Sequence, residues 1–483
     1  LLSALLRVLV YFQNRTLFLD EANLSRNVVE KPYGELFGAL DYEQFAPPMY
    51  LVVVKAFVGI LGVNEYALRL FSLLLGFGAL YFFYRLGRKF FTDIGMLYAI
   101  ALFGFSIYMM RYQTENKQYA GDVFFILLFI FSTWHFKIKE YWQYGILGLV
   151  GALGIWFSMP LVFTLAAIGC YLLYENLIKA DDLPARKKAF AGLSLTSVLW
   201  LGSFALLFFI NLKTSLDSKY LQDFHKHYYL KFPISQANIN QCFSVWNSYL
   251  SSLVGELSRV RAWAEICILL GIWRLFRRDI GKGILLVGPI AFCFIASMMG
   301  QYVLMPRVSL FMMPIFFLLI GFGAEFIYIK AVGLKSRIKY LILPIMLFLA
   351  YYSLSVKTGV PYFFEEYEIA TSRSILKKMS EHPENTLPLY VIHIAKPTYR
   401  FYTQLYDDRI EIPSSSIQYG HWSDKLPELA KQWKAKGIDK IWIYDSHTWG
   451  GKLKQLKKDI ASIGETETLI PGNHGNAYLI KLN

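Results

Sequence analysis

As far as Ser355 the chain alternates long apolar runs with short polar breaks, and the runs are too long and too uniform for the core of a soluble domain. A helix needs about 20 mostly apolar residues to cross a bilayer, whereas runs of about 10 to 14 more often lie in the interface. The pattern predicts eleven spans, near Leu1–Phe12, Ala67–Tyr84, Ile94–Met110, Asp122–Phe136, Tyr144–Ser158, Leu161–Ile178, Phe190–Ile210, Ala262–Trp273, Gly283–Gly300, Val308–Ile329 and Tyr340–Ser355. The first reads as the remainder of a span. Met49–Gly62 is apolar but short and carries Lys55, so behind the Pro47-Pro48 pair it predicts a helix lying in the interface.

From about Lys357 the pattern changes. Short β-like runs at Pro388–Ala395, Lys440–Asp445 and Ala477–Leu482 alternate with helix-like stretches such as Ser423–Lys436. The predicted fold is a polytopic α-helical membrane protein, residues 1–356, with about eleven transmembrane helices and interfacial helices in its first external loop. A small soluble α/β domain, residues 357–483, follows.

Composition agrees, with 55% hydrophobic and 17% charged residues. The formal charge of +14 does not mark a nucleic-acid binder, because the basic residues fall in clusters between apolar runs. Arg85, Arg88 and Lys89, then Lys137 and Lys139, Lys179 with Arg186–Lys188, Arg274, Arg277, Arg278 and Lys282, and Lys330, Lys335, Arg337 and Lys339 occupy alternate loops. The positive-inside rule makes that side cytoplasmic. Gln13–Tyr66, Arg111–Gly121, Asn211–Arg261, Gln301–Arg307 and the tail then face outward, the periplasm in a bacterial-type plasma membrane. Four cysteines without a CxxC pair suggest neither a disulfide framework nor a zinc site.

Candidate chemistry collects in the outward segments. Asp20 and Glu21 follow the first span directly, and a carboxylate there can take a proton from an acceptor hydroxyl, with burial raising its pKa toward a useful value. Equally, Asp20 suits a helix N-cap and Glu21 a first turn. The loop Arg111–Asp122, RYQTENKQYAGD, holds more charge than a connector needs: Glu115 could orient a hydroxyl, and Arg111 or Lys117 could meet a phosphate. His225 and His227 do not share a helix face, which makes a metal site from that pair weak and leaves His225 as a polar contact. Arg307 stands at the outer lip of a span, where arginines snorkel to headgroups and where a lipid phosphate could be held. Tyr119 and Tyr302 are further candidate sugar or acceptor contacts.

The DE pair after the first span, the APPMYLVVVKAFVGILG segment (46–62), NEYALRLFSLLLG (64–76), the RYQTENKQYAGD loop and the later YVLMPRVSLFMMP stretch (302–314) together resemble GT-C glycosyltransferases of the protein O-mannosyltransferase and lipid A aminoarabinose transferase type. The resemblance covers roughly residues 1 to 330. It implies transfer of a hexosyl or pentosyl group from a polyprenyl-phosphate donor to a hydroxyl on a protein, lipid or glycan, at the external face and with inversion. By it, Asp20 is the base, Glu21 its neighbour, Glu115 the second acid and Arg307 a phosphate contact. No cofactor is required; a divalent metal is possible but not indicated. Expected partners are the lipid donor, membrane lipids and the hydroxyl-bearing acceptor. A transporter or lipid flippase is the rival class, disfavoured by the scarcity of mid-span charges and of repeats.

Overall fold

The computed structural model describes residues 1–180, 182–213, 218–333, 371–421 and 425–483. The expected span Tyr340–Ser355, Asp217 of the third outward loop and the 356/357 boundary lie outside the described residues.

The first helices are α1 (Leu2–Phe12), α2 (Leu19–Glu30), α3 (Pro48–Leu61), α4 (Glu65–Gly87), α5 (Asp93–Phe105), α6 (Ile107–Tyr112) and α7 (Tyr119–His135). Then come α8 (Tyr141–Ile155), α9 (Leu161–Leu173), α10 (Leu183–Leu207), α11 (Lys219–His225), α12 (Gln236–Val254), α13 (Ser258–Arg278), α14 (Ile280–Met298) and α15 (Met313–Val332). Ten of the eleven expected spans fall on these helices. Among the described residues, five stretches are long and apolar enough to cross a membrane: Glu65–Gly87, Leu161–Ile178, Leu183–Leu212, Ile280–Met298 and Leu310–Val332. The run Ile94–Met110 is divided because the Ser106 hydroxyl caps α6 by accepting the Met109 N–H.

Leu310–Val332 is the central helix, with 89% of its apolar stretch buried against 17–50% for the other four. Its contact with α13 depends on absent side chains: a Cβ on Gly323 would stand 2.0 Å from the Cys267 carbonyl oxygen. The loop entering this helix carries Arg307, so the best-packed element of the bundle aims that side chain.

A helix, α3, forms where the interfacial one is expected. Pro47 and Pro48 start it, and Gly62, at φ +86°, ends it in a conformation that favours glycine. Lys55 has a definite task. Its ammonium donates to the carbonyls of Val28 (2.7 Å) and Val29 (3.3 Å), the last turn of α2, and so caps that helix from outside.

In the tail, helices α16 (Ser372–Ser380), α17 (Lys396–Arg400), α18 (Leu426–Ala435) and α19 (Gly450–Ile463) flank strands β1 (Leu389–Ile392), β2 (Ile417–Gly420), β3 (Lys440–Ser446), β4 (Gly464–Gly472) and β5 (Gly475–Leu482). The sheet order is β2-β1-β3-β5-β4, with β2, β1 and β3 parallel and β5 and β4 antiparallel. The three expected strands are present; β2 and β4, at the two edges, were not anticipated.

Alternation along the strands makes two faces. Tyr390, Ile392, Ile441, Ile443, Tyr478 and Ile480 pack under α18 and α19. Leu389, Val391, Trp442, Tyr444, Ala477 and Leu479 join a cluster that also contains Leu17, Ala22, Leu24, Val28, Tyr50, Val54 and Leu68. The tail and the segment around α2 and α3 thus share one hydrophobic core.

Candidate active site

The site begins with α2. Leu19 is its first residue and Phe18 precedes it, so Asp20 is a first-turn carboxylate and not the N-cap that its residue type suggested. The two adjacent acids have opposite fates. Glu21 is buried and grips Arg69 of α4 with both oxygens, Oε1 to Nε at 2.7 Å and Oε2 to Nη2 at 2.8 Å. It also accepts the Asn116 N–H at 2.8 Å. This carboxylate is a tie between α2, α4 and the second loop. Asp20 is 30% exposed, and its Oδ2 accepts from Arg307 Nη1 at 2.8 Å, across 287 positions of chain.

The second loop is buried where a connector would be solvated: Gln113, Thr114, Asn116 and Lys117 are all buried. Asn116 donates to Ser25 Oγ (3.0 Å), and Tyr50 bridges Ser72 Oγ (2.9 Å) and Asn116 Oδ1 (3.2 Å). Lys117 Nζ donates to Gln44 Oε1 at 3.0 Å, and Gln118 to the Phe45 carbonyl at 3.1 Å. These bonds stitch the loop to α2 and to the segment before α3, and they bring the Lys117 charge close to Asp20.

Burial alone would raise the Asp20 pKa, but the charges of Lys117 and Arg307, with the Arg307 hydrogen bond, hold it below its ordinary value. That reverses the expectation that burial would raise it. Lys117 is displaced the other way: burial pushes its ammonium down to about 8, even with Asp20 nearby. For Arg307 burial acts downward, yet Tyr119 and Asp20 keep its guanidinium firmly charged.

The other expected residues stand around this trio. Glu115 accepts from Arg111 Nε at 2.7 Å, and Arg111 lies 5.9 Å from the centre of the Phe18 ring. Tyr119 and His225 lie within electrostatic reach of both Asp20 and Arg307. The His225 pKa is lowered, first by burial and then by Arg307. Tyr302 donates to the Val308 carbonyl at 2.8 Å, bracing the Arg307 loop.

Two contacts were missed because they cross nearly the whole chain. His447, after β3, accepts the Leu19 N–H at Nε2, 3.0 Å away. Its Nδ1 meets Ser446 Oγ at 2.7 Å, so the ring is the neutral Nδ1–H tautomer. Burial holds its pKa down to about 4. Tyr402 accepts the Leu17 N–H at 2.8 Å and donates to Glu65 at 3.0 Å.

A family model described as dolichyl-phosphate-mannose-protein mannosyltransferase matches residues 46–201, from the start of α3 into α10. No curated protein sequence matches the chain. Among solved structures, ArnT from Cupriavidus metallidurans bound to undecaprenyl phosphate is similar over 99% of this chain and 97% of its own, with a TM-score of 0.55 and 13% identity. The chain has the GT-C fold. The archaeal oligosaccharyltransferase AglB from Archaeoglobus fulgidus, in complex with an inhibitory peptide and a dolichol-phosphate, is similar over 99% of this chain and 73% of its own, with a TM-score of 0.52 and 11% identity. In both comparisons the GT-C likeness extends over the tail as well as the bundle.

Proposed function

We propose that the chain is a glycosyltransferase that moves a sugar from a polyprenyl-phosphate carrier to an acceptor hydroxyl, with Asp20 as general base. The observation that carries the reading is the Asp20–Arg307 contact with Lys117 beside it: one carboxylate and two cations at the N-terminus of a helix, whose dipole also favours an anion. The undecaprenyl phosphate bound to ArnT and the dolichol-phosphate bound to AglB support a lipid-phosphate donor.

In this reading the lipid phosphate sits on Arg307 and Lys117. The acceptor hydroxyl attacks the anomeric carbon from the face opposite the phosphate, which inverts that centre. As the new C–O bond forms, the bond from the anomeric carbon to the phosphate oxygen breaks. Its electron pair stays on the phosphate, and Asp20 takes the hydroxyl proton. The two cations stabilise charge where it grows. Binding of the phosphate also engages the cations that hold Asp20 at low pKa, so donor binding makes Asp20 a stronger base.

The basic helix ends support an external site. Arg88, near the end of α4, and Arg274, which pairs with Glu325 at 2.8 Å, lie at the far end of the helices from Glu65, where α4 meets the tail. Asp20→Asn keeps donor binding and lowers transfer by about 100-fold or more, the scale of a lost general base. Near-wild-type transfer by this variant in a purified assay would remove the assignment.

A further inference from the structure

The tail is built like a small ligand-binding α/β domain whose ligand position is filled by the rest of the chain. In open parallel sheets ligands bind beyond the carboxyl ends of the strands, where neighbouring connections leave in opposite directions. Here that place is between β1 and β3. β1 leads through α17 to β2 on one side, and β3 leads through α19 to β4 and β5 on the other.

Ser446, His447 and Thr448, which end β3 and follow it, are buried. What meets His447 is the start of α2. The Phe18 ring stands edge-on to His447 with centroids 4.8 Å apart, and His447 Nε2 takes the Leu19 N–H. The first N–H groups of a helix have no partner within it, and a side-chain acceptor fixes where the helix begins. Asp20 is the next residue.

The histidine itself is held firmly. Its backbone is left-handed, at φ +63°, a conformation that a non-glycine residue keeps only where its surroundings enforce it. Its other ring nitrogen is tied to Ser446 Oγ, which meets Ser372 Oγ at 2.8 Å. The same domain holds the preceding backbone through Tyr402 on Leu17 and through Arg373, which donates to the Asn14 carbonyl at 2.6 Å.

We propose that His447 is a positioning residue for Asp20: the C-terminal domain uses the crevice at its sheet's switch point to grip the first turn of α2, and so fixes the direction in which the Asp20 carboxylate points. This rests on the reading of Asp20 as the base. The domain is then the outer wall of the active site.

The test uses the full chain in lipid nanodiscs, with His447→Ala, His447→Gln, whose amide oxygen can still accept the Leu19 N–H, and His447→Asn, whose side chain is too short to reach. In His447→Ala, amide hydrogen exchange across residues 14–24 speeds up. The kcat for transfer from a polyprenyl-phosphate sugar falls about 5- to 10-fold, the equivalent of a lost helix cap, while the donor KM stays within about twofold. His447→Gln recovers most of both losses and His447→Asn does not; Lys457→Ala, on the exposed face of α19, matches wild type. If the alanine variant does not fold, the Gln and Asn pair decides.

Wild-type kcat in His447→Ala, or in both the Gln and Asn variants, overturns the proposal, as does faster exchange with unchanged kcat. If the wild type transfers no sugar, or Asp20→Asn is fully active, the functional reading has failed, and the exchange result still reports separately on the grip.

Discussion

Arg307→Gln separates the two roles given to Arg307, as the partner that depresses the Asp20 pKa and as a seat for phosphate. Unit charges about 4 Å apart interact by about 1 kcal/mol in water and about 4 kcal/mol at an effective dielectric of 20. With the two side chains 27% and 30% exposed, the lower part of that range applies, about 1–2 kcal/mol. The sign follows from geometry. Arg307 favours the ionised carboxylate, so its removal leaves burial less opposed and raises the Asp20 pKa.

Because the folded-state pKa is depressed, the pair contributes stability above the unfolded carboxylate value and loses it as pH falls through the folded one. Near neutral pH the variant therefore loses no more than about 1–2 kcal/mol. Activity falls much further, by about 100- to 1,000-fold in kcat/KM, as for a lost charge-stabilising donor. A profile of kcat/KM from about pH 4 to about pH 9 shows the residual activity with its acid limb moved to higher pH. An acid limb at the wild-type position, or full activity, refutes the account of this pair.

Lys117, with its pKa brought down to about 8, predicts that wild-type kcat/KM declines above about pH 8 as the phosphate loses one cation, and that Lys117→Arg moves the decline upward. Stability has the opposite sign: the folded state penalises the charged lysine, so stability increases as pH rises from about 8 toward the unfolded value, and a melt series across that range reads it. Glu21→Gln leaves the buried Arg69 without its carboxylate and costs about 3–5 kcal/mol, seen as a lower melting temperature in detergent; an unchanged melting temperature contradicts the structural assignment of Glu21.

Periodicity found the helices because a long apolar run is a local property. It also found β1, β3 and β5, whose residues pack on both faces of the sheet. It missed β2 and β4, which are edge strands with mostly exposed or half-buried residues and no continuous apolar signal. At the site, local sequence placed Asp20, Arg307 and Lys117 among the candidates. It could not rank Asp20 against Glu21, because the difference is Arg69, a partner 48 positions away. The same limit hid the task of Lys55, which caps α2 from another helix, and that of His447, 428 positions from the amide it binds. Each is a long-range contact of a common residue, and such contacts leave no spacing to read.

In the proposed reaction Arg307 and Lys117 form the phosphate seat beside Asp20. A structure of the full chain with polyprenyl phosphate in nanodiscs would locate that seat. The phosphate is expected within hydrogen-bonding distance of both cations, with the Asp20–Arg307 contact lengthened or shared and the lipid tail leaving toward the membrane. A phosphate held instead at the opposite end of the bundle, near Arg274, Arg277 and Arg278, would contradict it.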